Sequence, residues 1–359
     1  MKRLPILLLL LLTLSAGAQY WNNLEVYRLN KVQPHDRIIP DSKPGYPYGH
    51  QWCMNLNGTW RFAYFDNPSK ATLNPSHWDT IKVPGNVELQ GFGVPVYVNM
   101  KNEFPSNPPY APTDYNPTYI YARTFEIPKH WQGRRTIIKF GAVKSAMYLY
   151  VNGREVGYSE DSKTPAEWDI TKYLREGKND LKVKVLRWCD GSYLECQDMW
   201  RMSGITRDVE LYSVPRTYIT DIKVIADLDT NDWTTGLLDV MVDLNHEING
   251  GSVSVCLSHD HICHTYRFSN NDWFASVQKR YENIEPWTDS TPRLYDLTVY
   301  LFDASGNELK TRDFDVQMER NKITWLTGAF FEGGGSSSSI AVTGVTVNTE
   351  WAGDIRQNF

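Results

Sequence analysis

A chain of 359 residues, 41% of them hydrophobic, is long enough for two globular domains, since single cores rarely outgrow roughly 250 residues. Its formal charge of −5 at pH 7 gives no attraction to a phosphate backbone, so no nucleic acid partner is expected. Five cysteines, Cys53, Cys189, Cys196, Cys256 and Cys263, are too few and too irregular for a disulfide scaffold, and their odd count leaves at least one outside any bridge within the chain.

The chain opens with the short basic region Met1-Lys2-Arg3, followed by an apolar run centred on Leu7 to Leu12 that ends in Ala16-Gly17-Ala18. This pattern predicts a signal peptide over residues 1–18, cleaved after Ala18, and hence an exported protein, periplasmic or secreted. The run is shorter than the roughly 20 residues that cross a bilayer. No later segment is apolar enough, so no membrane span is expected. Losing Lys2 and Arg3 would make the mature chain more acidic still.

From about Leu56 apolar and polar residues alternate in short runs separated by turn residues, the pattern of an all-β sandwich. Strands are predicted over Thr59 to Tyr64, Tyr119 to Ile127, Arg135 to Phe140, Ala146 to Val151, Asn179 to Arg187 and Thr206 to Ser213. Asn152-Gly153 between two such runs is a two-residue hairpin signal. Prolines at 105, 108, 109, 112 and 117 remove ladder donors, so that stretch is predicted as a long stiff loop. After Val214-Pro215-Arg216 a second β series begins, with strands predicted over Tyr218 to Ala226, Gly236 to Asn245, Ser252 to Leu257 and Leu294 to Asp303. Its turn spacing and size of about 100 residues fit an immunoglobulin-like sandwich. Beyond Arg320 comes Gly333-Gly334-Gly335 with Ser336 to Ser339, a linker-like composition that cannot build a core.

Several residues invite a chemical role. Aromatic residues make up 13% of the chain, including 13 Trp and 21 Tyr, which suits both β-sandwich cores and sugar-stacking surfaces. Glu160-Asp161 and Glu195 with Asp198 are the acidic pairings that could be mistaken for catalytic carboxylates; as turn residues they are expected to be solvated. The tract Cys256 to His264 would put His259, His261 and Cys263 on one strand face as metal ligands, but it also sits where a hairpin turn is needed. Asn57-Gly58-Thr59 fits a glycosylation pattern and is read as a turn.

Consecutive blocks carry a resemblance: Leu56-Asn57-Gly58-Thr59-Trp60-Arg61-Phe62, Val83-Pro84-Gly85-Asn86, Pro95-Val96-Tyr97-Val98-Asn99, Asn107-Pro108-Pro109-Tyr110-Ala111-Pro112, and Gly157 to Ser162. The most specific runs from Leu186 to Ile205 and contains Gln197-Asp198-Met199-Trp200-Arg201-Met202-Ser203-Gly204. Together they resemble the amino-terminal, non-catalytic part of the large β-galactosidases of glycoside hydrolase family 2, over roughly Trp21 to Val316. The resemblance implies an arm over residues 19–50, a jelly-roll (galactose-binding-like) β-sandwich over 51–215 and an immunoglobulin-like β-sandwich over 216–317. In that family a barrel follows and hydrolyses terminal β-galactosides such as lactose, supplying the acid/base, the nucleophile and the main Mg²⁺ ligands. By the same resemblance, homo-oligomeric assembly is an expectation for full-length members.

Two positions carry over residue by residue. Asp198 matches an aspartate that binds the galactose 6-hydroxyl region and ligates Na⁺, and Asn99 matches an asparagine at the pocket edge. A carboxylate suits a hard cation and accepts from hydroxyls, while an amide both donates and accepts. Residues 318–359 do not resemble the family's continuation, so the catalytic barrel is expected to be absent from this chain and the chain inactive alone, as in a frame-shifted or truncated product, with a genuine short protein carrying its own tail as the remaining alternative. The other expectation is a carbohydrate-binding or assembly module that completes a separate barrel in trans.

Overall fold

The structure, a computed structural model, describes residues 20–35, 51–99, 101–195 and 197–316, with the backbone of two short strands beyond them. The predicted signal peptide, the arm beyond residue 35 and the Gly/Ser run lie outside the described residues.

The first unit runs in chain order through β1 (Arg28–Leu29), β2 (Cys53–Asn55), β3 (Gly58–Phe65), β4 (Asp79–Val83), β5 (Val96–Tyr97), β6 (Thr118–Glu126), β7 (Arg135–Phe140), β8 (Val143–Lys144), β9 (Ala146–Val151) and β10 (Arg154–Ser159). It continues through β11 (Ala166–Asp169), β12 (Lys178–Leu186), the short helix α1 (Ser192–Glu195), β13 (Trp200–Arg201), β14 (Gly204–Ile205) and β15 (Val209–Val214). A seven-stranded sheet in the order β1-β10-β9-β12-β6-β3-β4 packs on a four-stranded sheet, β11-β7-β15-β2. The architecture is the all-β jelly-roll sandwich expected. Alternation explains the core: Leu181, Val183 and Val185 of β12 point inward and are fully buried, joining Trp60, Phe62 and Tyr121 from the same sheet and Ile138, Phe140 and Leu211 from the other. Trp60 satisfies its indole N–H on the Leu56 carbonyl at 2.8 Å. Asn152 and Gly153 take φ of 52° and 77°, the left-handed pair that a two-residue hairpin between β9 and β10 requires.

The large sheet is apolar on its outer side as well, and here the arm and the proline-rich loop close it. Trp21 and Phe104 pack with Tyr148, Tyr158, Leu186 and Trp188 in a second cluster. Asn22 locks arm to loop through paired bonds with the Ala111 backbone, at 2.7 and 3.0 Å. The arm then adds β1 to the sheet edge beside β10. Gly157 permits that approach, because a Cβ there would meet the Leu29 carbonyl oxygen at 2.3 Å.

The second unit comprises β16 (Ile219–Asp229), β17 (Asp232–Asn249), β18 (Ser252–Leu257), β19 (Cys263–Arg267), β20 (Asn270–Tyr281), β21 (Tyr295–Phe302) and β22 (Glu308–Val316), followed by β23 (Lys322–Thr324) and β24 (Val345–Val347). Its sheets, β20-β17-β16-β23-β24 and β19-β18-β21-β22, bury Val224, Val240, Val242, Val255, Leu297 and Val299 between them. Strands β19 and β20 have mixed polar and apolar runs and were not foreseen. Beyond residue 316, β23 pairs with β16 and β24 pairs with β23 at the edge of the sheet.

Gly157→Val is expected to push out the arm strand and cost about 1–3 kcal/mol, as overpacking does. Urea unfolding together with proteolytic cleavage near Leu29 would read this. Unchanged stability and protection would show that the arm does not depend on this contact.

Candidate functional site

Strands β5 and β13 form a two-stranded ribbon in which Tyr97 faces Trp200 and Val96 faces Arg201. Facing residues project to one side. The rings of Tyr97 and Trp200 accordingly meet, with centroids 5.8 Å apart and planes at 54°. Both stay open to solvent, at 53% and 57% exposure. Asp198, two residues before Trp200, lies on that side too, because the Tyr97 phenol donates to its Oδ1 at 2.5 Å. This bond, followed by the charge of the carboxylate, raises the Tyr97 pKa above its ordinary value, so the phenol stays a donor. Asn99 is exposed two residues past Tyr97. The two residues singled out in the sequence are thus carried by one ribbon. Tyr97 and Trp200 were missed as members, although the spacings Tyr97-x-Asn99 and Asp198-x-Trp200 contain the signal.

Beneath the ribbon is a buried ionic chain. Arg187, at the end of β12, donates to Glu103 Oε2 at 2.7 Å and lies 3.4 Å from Glu88 Oε1. Its Nη2 also reaches the carbonyls of Val94 at 3.3 Å and Arg201 at 3.4 Å. Burial opposes the charge on Arg187, but Glu103 and Glu88 outweigh it, and the guanidinium pKa goes up. Glu103 also accepts from the Trp188 indole at 2.7 Å, and Glu88 from the Ser203 backbone and hydroxyl at 2.8 and 2.6 Å. Arg201, fully buried, donates to the Val98 carbonyl at 2.8 Å and so pins the turn into Asn99.

The acidic pairings are rearranged. Asp161 is exposed and accepts from Thr164, while Glu160 turns inward to accept from the Tyr158 phenol. Burial first, then the neighbouring Asp190 carboxyl, pushes the Glu160 pKa up to about 8. Glu195 accepts from the Ser162 backbone at 2.6 Å and from its hydroxyl, and does not pair with Asp198. The expectation of solvated turn acids therefore holds for the exposed Asp161 and Asp198, fails for the buried Glu160, and gives way at Glu195 to a half-buried carboxylate held by Ser162. Donor atoms of Glu160, Asp190 and Cys189 lie within 4.8 Å of one another, so this cluster could hold a cation in place of the proton.

The Cys256 to His264 tract is a hairpin turn. Cys256 and Cys263 face each other across β18 and β19 and form a disulfide, which removes Cys263 from any set of metal ligands. His259 bonds the Glu282 carbonyl at 2.8 Å. Asn57 spends its amide on Asp208 and the Val209 backbone, at 2.8 and 3.0 Å, as a turn residue does. Cys196 lies outside the described residues.

Residues 53–215 match the family described as "Glycosyl hydrolases family 2, sugar binding domain", and residues 217–316 match "Glycosyl hydrolases family 2". The chain belongs to glycosyl hydrolases family 2. It is 36% identical over 333 residues to a beta-galactosidase of Priestia megaterium, a match that spans 84% of this chain and 32% of the relative. A beta-galactosidase of Enterobacter cloacae is 37% identical over 342 residues, spanning 87% of this chain and 32% of that one. The family 2 chain thus spans about a third of the length of these curated relatives. Among solved structures, a Bifidobacterium dentium beta-glucuronidase complexed with coumarin-3-O-glucuronide matches with a TM-score of 0.55 at 19% identity, over 76% of this chain and 49% of that one. Bacteroides uniformis beta-glucuronidase 2, covalently bound to cyclophellitol-6-carboxylate aziridine, matches with a TM-score of 0.54 at 18% identity, over 74% of this chain and 32% of that one. At such identities these two likenesses speak for the fold.

Two outcomes follow. Closing the loop from Cys256 to Cys263 is worth about 2–3 kcal/mol by loop entropy, so Cys256→Ser with Cys263→Ser is expected to lower the unfolding midpoint of the second sandwich; an unchanged midpoint would show that the bond adds no stability. Glu160 is protonated in the folded chain up to about pH 8, against 4.5 for its ordinary value. Its contribution is fully present below pH 4.5 and is lost as pH rises through 8. In chelator-containing buffer Glu160→Gln is expected to gain stability relative to the parent at pH 9 and not at pH 4, read by urea unfolding at both.

Proposed function

We propose that the chain is the sugar-side, non-catalytic part of a β-galactosidase, with Asp198 and Asn99 contacting the substrate. The observation that carries this is the ribbon itself. Tyr97 occupies Oδ1 of Asp198, which orients the carboxylate and leaves Oδ2 for a sugar hydroxyl or a cation. Asn99 adds an amide that both donates and accepts. The kinship with beta-galactosidases at 36–37% identity supports galactose as the sugar, and lactose or other terminal β-galactosides as substrates.

Asp198 is proposed as one ligand of a Na⁺ ion at the substrate. Its hard carboxylate oxygen fits that ion, but one donor is a fraction of a shell. The remaining ligands, those of Mg²⁺, and the acid/base and nucleophile are assigned to the part of the full-length relatives that this chain does not span. Retaining hydrolysis needs two carboxyls roughly 5 Å apart across the scissile bond. Among the described residues Asp198 is committed to Tyr97, and Glu160 and Glu195 are held in the fold, so none offers an opposed pair to the ribbon face.

The second proposal is that the chain completes a separate barrel in trans. Leu89 and Val94, exposed apolar residues in the segments leading to β5, favour it. For localisation we propose export: the Cys256–Cys263 bond suits an oxidising compartment and supports the amino-terminal pattern independently.

Purified residues 19–359 are expected to leave a chromogenic β-galactoside intact and to bind galactose with a dissociation constant on the order of millimolar, about −4 kcal/mol. Asp198→Asn is expected to weaken that binding roughly tenfold by removing a charged hydrogen-bond acceptor. Turnover by the parent chain, or unchanged affinity in the variant as read by ligand-observed NMR, would contradict the proposal.

A further inference from the structure

Within the first sandwich Trp200 differs from four of the other tryptophans. Trp60, Trp131, Trp168 and Trp188 are buried, and each donates its indole N–H, to Leu56, Gln51 and Leu29 carbonyls and to Glu103 respectively. Each of these has both its apolar body and its polar handle satisfied by the fold. Trp200 has neither. Its ring is 57% exposed, belongs to none of the buried clusters, and its N–H has no hydrogen-bond partner among the described residues. Yet it is not loose. It sits in a paired strand opposite Tyr97, whose ring sets its tilt, and the next residue, Arg201, is fully buried and bonded beneath.

We infer that Trp200 is a specificity-determining residue that packs its indole face on the C–H face of a β-galactoside whose hydroxyls are held by Asp198. This rests on the sugar reading of the ribbon and adds the apolar half of recognition to it. A pyranose is amphipathic: hydroxyls lie round its rim and C–H bonds cover its faces. An axial 4-hydroxyl leaves the C–H bonds at C3, C4 and C5 together on one face, whereas an equatorial one puts the C4–H bond on the opposite face. An aromatic ring beside a carboxylate matches both parts of such a sugar. Tyr97 has a different part, since its hydroxyl is spent on Asp198. It is a positioning residue that joins carboxylate and indole.

The test uses the whole chain and methyl β-galactoside, with methyl β-glucoside for comparison, titrated by ligand-observed NMR. The parent is expected to bind the galactoside more tightly than the glucoside, with saturation passing from indole protons to sugar H3, H4 and H5. Trp200→Ala is expected to weaken galactoside binding about tenfold and erase the preference, while Trp200→Tyr, which keeps an aromatic face, stays within about threefold of the parent. Unfolding midpoints equal to the parent's certify the exposed substitutions as folded. If Asp198→Asn loses binding and Trp200→Ala keeps both affinity and preference, the sugar reading stands and the role of Trp200 is overturned. If the parent does not bind, or Asp198→Asn binds as the parent does, the sugar reading fails and takes this inference with it.

Discussion

Arg187 is the point on which the ribbon of the first sandwich depends. Taking a guanidinium out of water is costly, and the cost is offset only where carboxylates and carbonyls surround it closely. Glu88 and Glu103 do so from segments far from Arg187 in sequence, and the carbonyls of Val94 and Arg201 add to the shell. The 3-10 turn that carries Glu88, the proline-rich loop that carries Glu103 and the strand β13 therefore share one buried charge at the end of β12. None of these segments has a long ladder of its own. Without this centre, the short β5–β13 ribbon would have little beyond its own few backbone bonds to hold Tyr97, Asp198 and Trp200 in place.

A similar economy governs the arm. The outer face of the large sheet is apolar where Tyr148, Tyr158 and Leu186 emerge, and Trp21 covers it while the backbone of Asp190 and of Glu160 bonds back to arm carbonyls at 3.1 and 3.0 Å. The burial that raises the Glu160 pKa is a by-product of this covering. It leaves Glu160 protonated beyond the ordinary carboxylate range, in a way that no single residue type announces.

Much of this was legible beforehand, for physical reasons. Strands β7, β9 and β18 were visible at their true bounds, because each is a short apolar-rich run closed by turn residues, Gly133 and Gly141, Ser145 and Asn152, Gly251 and Ser258. The Asn152-Gly153 turn was visible because few residue pairs accept two positive φ angles. Strands β19 and β20 were not, since their exposed edge positions carry no period, and β23 and β24 were hidden by the unfamiliar composition of residues 318–359. For the site, Asp198 and Asn99 came from resemblance alone. Their meeting on one ribbon with Tyr97 and Trp200 depends on a pairing 103 residues apart, between Tyr97 and Trp200, which no local pattern encodes. The inward turn of Glu160 was likewise invisible, because it is set by what the arm covers and not by its neighbours in sequence.

The most direct measurement is the galactoside affinity of Arg187→Lys, compared with its far-UV circular dichroism. Lysine keeps the charge, but its three N–H donors radiate from one nitrogen and cannot reach two carboxylates and two carbonyls at once as the spread guanidinium does. The account predicts an unchanged β spectrum with binding weakened about tenfold, the ribbon having lost its anchor while the sandwich persists. Unaltered affinity in a folded variant would contradict it, for the ribbon would then hold its geometry without the buried ionic centre.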